Sequence, residues 1–210
     1  MKQRMIAILA AAVAFAGLAA SAQAADIIDE WASVKLPSAP QLKEVTINPK
    51  TTALVVFDII KQVCNAERYP RCPRTIPTVK KVITEARAKG MLIVYTSVLN
   101  VPKTAIYEDV TPAAGDPFVQ GLTDKFLHTD LEKILRDKGI TTMLMVGTVA
   151  QGAIIMTGSG AALRGFSVIV PVDTISGNFA FPELYAVWHL ANAPIVGPKV
   201  TLTRSTMIKF

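Results

Sequence analysis

Residues 139–173 read GITTMLMVGTVAQGAIIMTGSGAALRGFSVIVPVD, and the architecture follows from how this stretch divides. Thr141–Val146 is a short, almost wholly apolar run that stops at Gly147, the pattern of a strand inside a parallel sheet covered on both faces. A sharp turn follows, then the small-residue helix Gly152–Arg164, closed by Gly165, and a second strand over Ser167–Val172. Strand, turn, helix and strand make one βαβ unit. The turn is a ligand site by default, because in open parallel sheets the crevice lies beyond the carboxyl ends of the strands, where the next helix points its free N–H groups.

The same pattern recurs on either side of this unit. Thr51–Asp58, TTALVVFD, is predicted as a buried strand ending in an acid. Ile76–Lys89 is a helix with Pro77 in its first turn, closed by Gly90 and followed by the strand Met91–Ser97. Asp130–Lys138 is a helix with Thr129 as N-cap and Glu132 three residues on, a capping box, and it ends at Gly139. A short strand is expected around Phe118–Leu122, a helix near Pro182–Ala191 and a last strand near Lys199–Arg204. Strands alternating with helices at this spacing predict a three-layer α/β/α sandwich with a mainly parallel central sheet.

The amino-terminal region has a different character. Met1–Ala24 carries Lys2 and Arg4, an uncharged run from Met5 to Ala20, and a small-x-small pattern at Ala22-Gln23-Ala24, which together read as a secretory signal peptide cleaved after Ala24. The expected division is signal peptide 1–24, an extended arm over 25–50 containing Pro37, Pro40 and Pro49, and one domain over 51–210, periplasmic or secreted. Cleavage lowers the formal net charge from +6 to +4, with the basic residues dispersed, so nucleic-acid binding has no patch to rest on. Nothing beyond the signal is long and apolar enough to span a bilayer. The only histidines, His128 and His189, supply no metal cluster, and no cofactor is implied.

Export places Cys64 and Cys72, both in VCNAERYPRCP, in an oxidising compartment, and a disulfide between them is the main reading. The alternative is two free thiols, one of them reactive, with Cys64 a conceivable nucleophile six residues after Asp58. Asp58 leads the catalytic candidates, since a carboxylate ending a buried strand sits at the crevice rim; its other reading is the N-cap of a following helix. Lys125 lies in the long irregular segment between Val98 and Thr129 and is either a crevice residue or an ordinary solvated lysine. Gln62, one turn after Asp58 if that segment is helical, is either a pocket amide or surface.

Three stretches, ALVVFD ending at Asp58, DKFLHTDLEKIL with Phe126, Thr129 and Leu131, and VGTVAQGAIIMTGSGAALRGFSVIVPVD, resemble the isochorismatase-like hydrolases, the family that also contains nicotinamidases and other cysteine amidohydrolases. In the amidohydrolase branch the resemblance implies an Asp that deprotonates a Cys at the amino end of a helix, with a Lys stabilising the thiolate. It also implies a cis peptide, here Thr148–Val149, that turns N–H groups toward substrate. Two departures stand out. The nucleophile position is Ala153, whose methyl group cannot attack a carbonyl. Aligned without gaps, the family's lysine position falls on Gln120, and Lys125 comes several residues later.

With the resemblance, the expected catalytic positions are Asp58, Lys125 and Ala153, and the expected substrate contacts are Gln120, Thr148, Val149 and Gly152, to which its place after Asp58 adds Gln62. Isochorismatases proper also have a small residue in place of the Cys, and there the Asp acts as an acid toward a vinyl ether. Two functions follow: an exported, Asp-dependent hydrolase of a small molecule that works without Cys, or a catalytically inactive family member that binds a small ligand or partner. The glycines of Gly152–Arg164, each costing a helix about 0.5–1 kcal/mol, imply close approach to the sheet or to a neighbouring subunit, and a homo-oligomer is expected on that ground and from the family.

Overall fold

The computed structural model describes residues 25–210, and the signal peptide expected over Met1–Ala24 lies outside them. In chain order the elements begin with α1 (Ile27–Glu30), β1 (Val45–Thr46), β2 (Thr52–Phe57), α2 (Cys72–Ala88), β3 (Leu92–Ser97), β4 (Phe118–Gln120) and α3 (Leu131–Asp137). They continue with β5 (Thr142–Thr148), α4 (Ile155–Leu163, entered through a π-helical turn at Ala150–Ile154), β6 (Ser167–Pro171), β7 (Ile175–Ser176), α5 (Ala180–Asn192), β8 (Val200–Thr203) and β9 (Ile208–Lys209).

Seven strands form one parallel sheet in the order β4-β3-β2-β5-β6-β8, with β7 paired to the carboxyl end of β5. The short apolar runs suit its interior because alternate residues serve opposite faces. Ala53, Val55, Phe57, Met143 and Met145 pack with the buried residues of α3, α4 and α5. Leu54, Val56, Leu144 and Val146 pack with Ile76, Val79, Val82 and Ile83 of α2. Two apolar cores on the two faces of one sheet make the expected three layers.

Strand order decides where a ligand goes. From β2 the chain winds through β3 to β4 on one side, then returns to β5 on the other side of β2 and winds outward to β6 and β8. The direction of winding reverses between β2 and β5, and the crossovers leave from the two strands onto opposite faces, opening a crevice beyond their carboxyl ends.

Several boundaries differ from expectation. α2 begins at Cys72, so Pro77 lies inside the helix and Pro73 takes the early position where a missing N–H costs least. The expected capping box on α3 is absent: the Thr129 hydroxyl donates to the Lys125 carbonyl and accepts from Leu131 N, and Glu132 pairs with Arg136 and Arg164. The chain divides into two compact units between Ser38 and Ala39. Within 39–50 the arm is tied down, Lys43 N donating to Leu202 O at 2.9 Å and β1 pairing in parallel with β9. Within 25–38 the arm is not extended throughout, because Ile27–Glu30 forms α1, capped by Asp26, whose carboxylate accepts from Ile28 N and Asp29 N. No helix among the described residues is long and apolar enough to cross a membrane.

The glycines of α4 face inward. A Cβ at Gly158 would meet Leu190 at 3.1 Å and Met145 at 3.5 Å, and one at Gly160 would meet the Arg164 guanidinium at 3.2 Å and the Phe126 ring at 3.4 Å, so their small size serves packing within the subunit, against α5 and the sheet at Gly158 and against the 124–126 segment at Gly160.

Candidate active site

Asp58 follows β2 directly, and its φ of 49° swings the chain off the sheet. No helix follows until Cys72, which removes the N-cap reading; Ile60 instead bridges Ile106 in antiparallel fashion. The carboxylate is buried, and both oxygens are engaged: Thr96 donates its hydroxyl to Oδ1 at 2.8 Å and Lys125 Nζ lies 2.9 Å from Oδ2.

Lys125 is completely buried, and each of its three ammonium protons has an acceptor. Besides Asp58 these are the carbonyls of Ser97 at 3.1 Å and Gly121 at 3.3 Å. The segment after β4 folds back on itself to achieve this. A Cβ at Gly121 would meet the Thr129 methyl at 3.0 Å, and Lys125 N donates to the Thr157 hydroxyl of α4 at 3.0 Å. Burial pushes the Asp58 carboxyl above its ordinary range, against the opposing pull of the Lys125 ammonium and the Thr96 hydroxyl.

The third wall comes from β5. Phe57 pairs with Gly147, which has φ 119°, and a Cβ there would lie 2.2 Å from the Phe57 carbonyl oxygen. The Thr148–Val149 peptide is cis, as expected. The π-helical turn then carries a kink at Gly152 (φ −118°, ψ −105°) and sets Ala153 against the same cavity. That cavity holds about 450 Å³ and is lined by Asp58, Lys125, Val149, Gly152 and Ala153. The Asp58 and Lys125 side chains and the helix turn at Ala153 thus share one space.

Other expected contacts fall elsewhere. Gln62 is exposed in a non-helical turn and outside the cavity walls. Gln120 ends β4, and its amide donates to Val101 O at 2.7 Å, so Lys125 and not position 120 supplies the ammonium. Thr148 is buried beside the cavity, with its hydroxyl donating to Ser176 O at 3.1 Å. Cys64 and Cys72 form a disulfide, so no thiol is available at Cys64, and His128 is exposed.

Sequence reasoning missed Thr96, the Ser97 and Gly121 carbonyls, and Arg68 and Tyr69, which also line the cavity. Only the last two had a readable signal, their place inside a loop bounded by two cysteines just after Asp58. Chemically, the arrangement offers a buried carboxyl able to exchange a proton, a fixed ammonium beside it, and open space next to Ala153.

Comparison with known proteins bears on the family and the fold. The model of the isochorismatase domain matches residues 52–199. Streptothricin hydrolase of Streptomyces noursei is 26% identical over 153 residues, covering 68% of this chain and 58% of that protein, so the chain spans under two thirds of that relative. Among solved structures, N-carbamoylsarcosine amidase from Thermoplasma acidophilum superposes with a TM-score of 0.64 at 22% identity, over 74% of this chain and 96% of that one. A cysteine hydrolase from Pseudomonas syringae pv. phaseolicola gives 0.67 at 20% identity, over 81% and 95%. The nicotinamidase of Staphylococcus aureus gives 0.64 at 19% identity, over 72% and 98%. At these identities the structural likeness speaks to the fold alone.

Proposed function

The chain belongs to the isochorismatase family, and on that premise we propose that it is an exported small-molecule hydrolase in which Asp58 transfers the proton and no cysteine takes part. The observation that carries this reading is the buried Asp58–Lys125 pair opening onto the same cavity as Ala153. A family nucleophile position occupied by a methyl group excludes a thioester route there. The raised affinity of Asp58 for its proton favours an acid.

On a vinyl ether, the Asp58 proton passes to the alkene carbon and leaves an oxocarbenium ion. Water adds to that ion, and the hemiketal collapses to a carbonyl compound and an alcohol while a proton returns to Asp58. Lys125 holds the carboxylate in place between these transfers. The proposal includes a homo-oligomer, supported by Phe181, Leu184, Tyr185 and Trp188, which leave α5 with an exposed aromatic face.

Asp58→Asn keeps the shape of the side chain and removes the exchangeable proton. Against whichever vinyl ether, amide or carbamate the native protein turns over, kcat should fall by about 10²–10⁴-fold. Undiminished turnover would remove Asp58 from the mechanism. Absence of turnover across all three classes leaves the second reading, a ligand-binding member without catalysis, which the missing nucleophile at Ala153 favours.

A further inference from the structure

The loop between Cys64 and Cys72 belongs to no step of that mechanism, yet it contributes Arg68 and Tyr69 to the cavity. Its shape is set from several directions. The disulfide closes it, the Asn65 side-chain oxygen accepts from Glu67 N at 3.1 Å and Arg68 N at 2.9 Å, and Tyr107 donates its hydroxyl to Cys64 O at 2.6 Å. Arg68 Nη1 donates to Gln62 O at 3.1 Å, which anchors one edge of the guanidinium to the backbone.

Three charged side chains line the cavity: Asp58, Lys125 and Arg68. The first two neutralise one another at 2.9 Å. Among the described residues no carboxylate lies within ion-pair distance of Arg68, so the cavity is net positive whether Asp58 is ionised or protonated, and the unpaired charge sits on a planar donor suited to a carboxylate. Around it the walls are apolar, from Val63, Val98, Leu99, Leu122 and the Tyr69 ring.

We propose that the site takes a small molecule with an apolar body and an anionic group, and that Arg68 binds the anion while the body lies toward Asp58 and Ala153. The proposal rests on reading this cavity as the active site. Arg68 would then be a specificity residue: it contacts substrate and takes no part in proton transfer.

Benzoate and benzamide, matched in shape and differing in charge, test this by calorimetric titration of the disulfide-intact protein. Benzoate should bind more tightly than benzamide. Arg68→Gln should weaken benzoate by about 10–100-fold, the worth of a charge-assisted hydrogen bond, and leave benzamide within about twofold, while Arg68→Lys restores part of the loss. Equal affinities, no benzoate binding, or indifference of benzoate to Arg68→Gln would each overturn the proposal. Unchanged benzamide binding shows that the variant is folded. A protein that holds benzoate through Arg68 but hydrolyses nothing sinks only the proposed activity. Asp58-dependent turnover that ignores Arg68 sinks only this inference.

Discussion

Asp58 and Lys125 form one ion pair on which both the fold and the proposed chemistry depend. Both groups are buried, so each needs the other, and removing one partner of such a pair typically costs about 3–5 kcal/mol because a charge is left without compensation. Since burial raises the Asp58 pKa, the folded state holds that proton more tightly than the unfolded chain. Its contribution to stability is fully present below the ordinary carboxylate value and is lost as pH rises through the raised folded value. Lys125→Met removes the ammonium that opposes this shift. The variant should therefore trail the native protein by about 3–5 kcal/mol at neutral pH and by less at pH 4, as read by urea unfolding. An equal deficit at both pH values would show that the lysine acts through packing and not charge. Asp58 was legible as the last residue of an apolar run, whereas Lys125 was legible only as one of two readings, because its offset from β4 suits the site only after the 121–129 segment folds back.

At the scale of elements, the glycines separate into two kinds that sequence does not distinguish. Gly90, Gly139 and Gly165 end helices with positive φ in open space, and their place after periodic runs announced the boundaries. Gly147 also has positive φ, but it lies inside β5 against the Phe57 backbone. Gly139→Ala should lower stability by about 1–2 kcal/mol, the cost of the left-handed conformation alone. Gly147→Ala must in addition part β2 from β5 and should cost more than about 4 kcal/mol. Thermal unfolding of the two variants checks the ranking, and equal losses would mean that the strands yield freely. Pro77 and Thr129 depart from the helix starts that their local patterns suggest for a related reason: Pro73 takes the early helix position, and the Lys125 carbonyl takes the Thr129 hydroxyl.

For the whole molecule, the inward-facing glycines of α4 withdraw one argument for assembly, and the exposed face of α5 supplies another. Phe181, Leu184, Tyr185 and Trp188 recur at helical spacing on the side away from the core. Light scattering should find a dimer or larger species that Trp188→Glu shifts toward monomer; a native monomer would refute the assembly. The sequence alone determined the order of strands and helices, the parallel sheet, the acid at the end of β2 and the methyl group at position 153. These are local patterns: short runs buried on both faces, helices closed by glycine, and a chemical identity at one position. Tertiary structure decided which lysine meets Asp58, that Thr96 holds its other oxygen, and that the disulfide loop brings Arg68 to the cavity. Those partners lie 28 and 38 residues apart for Lys125–Ser97 and Thr96–Asp58. They meet because sheet order gathers the carboxyl ends of β2, β3 and β5, a long-range outcome that no local spacing encodes.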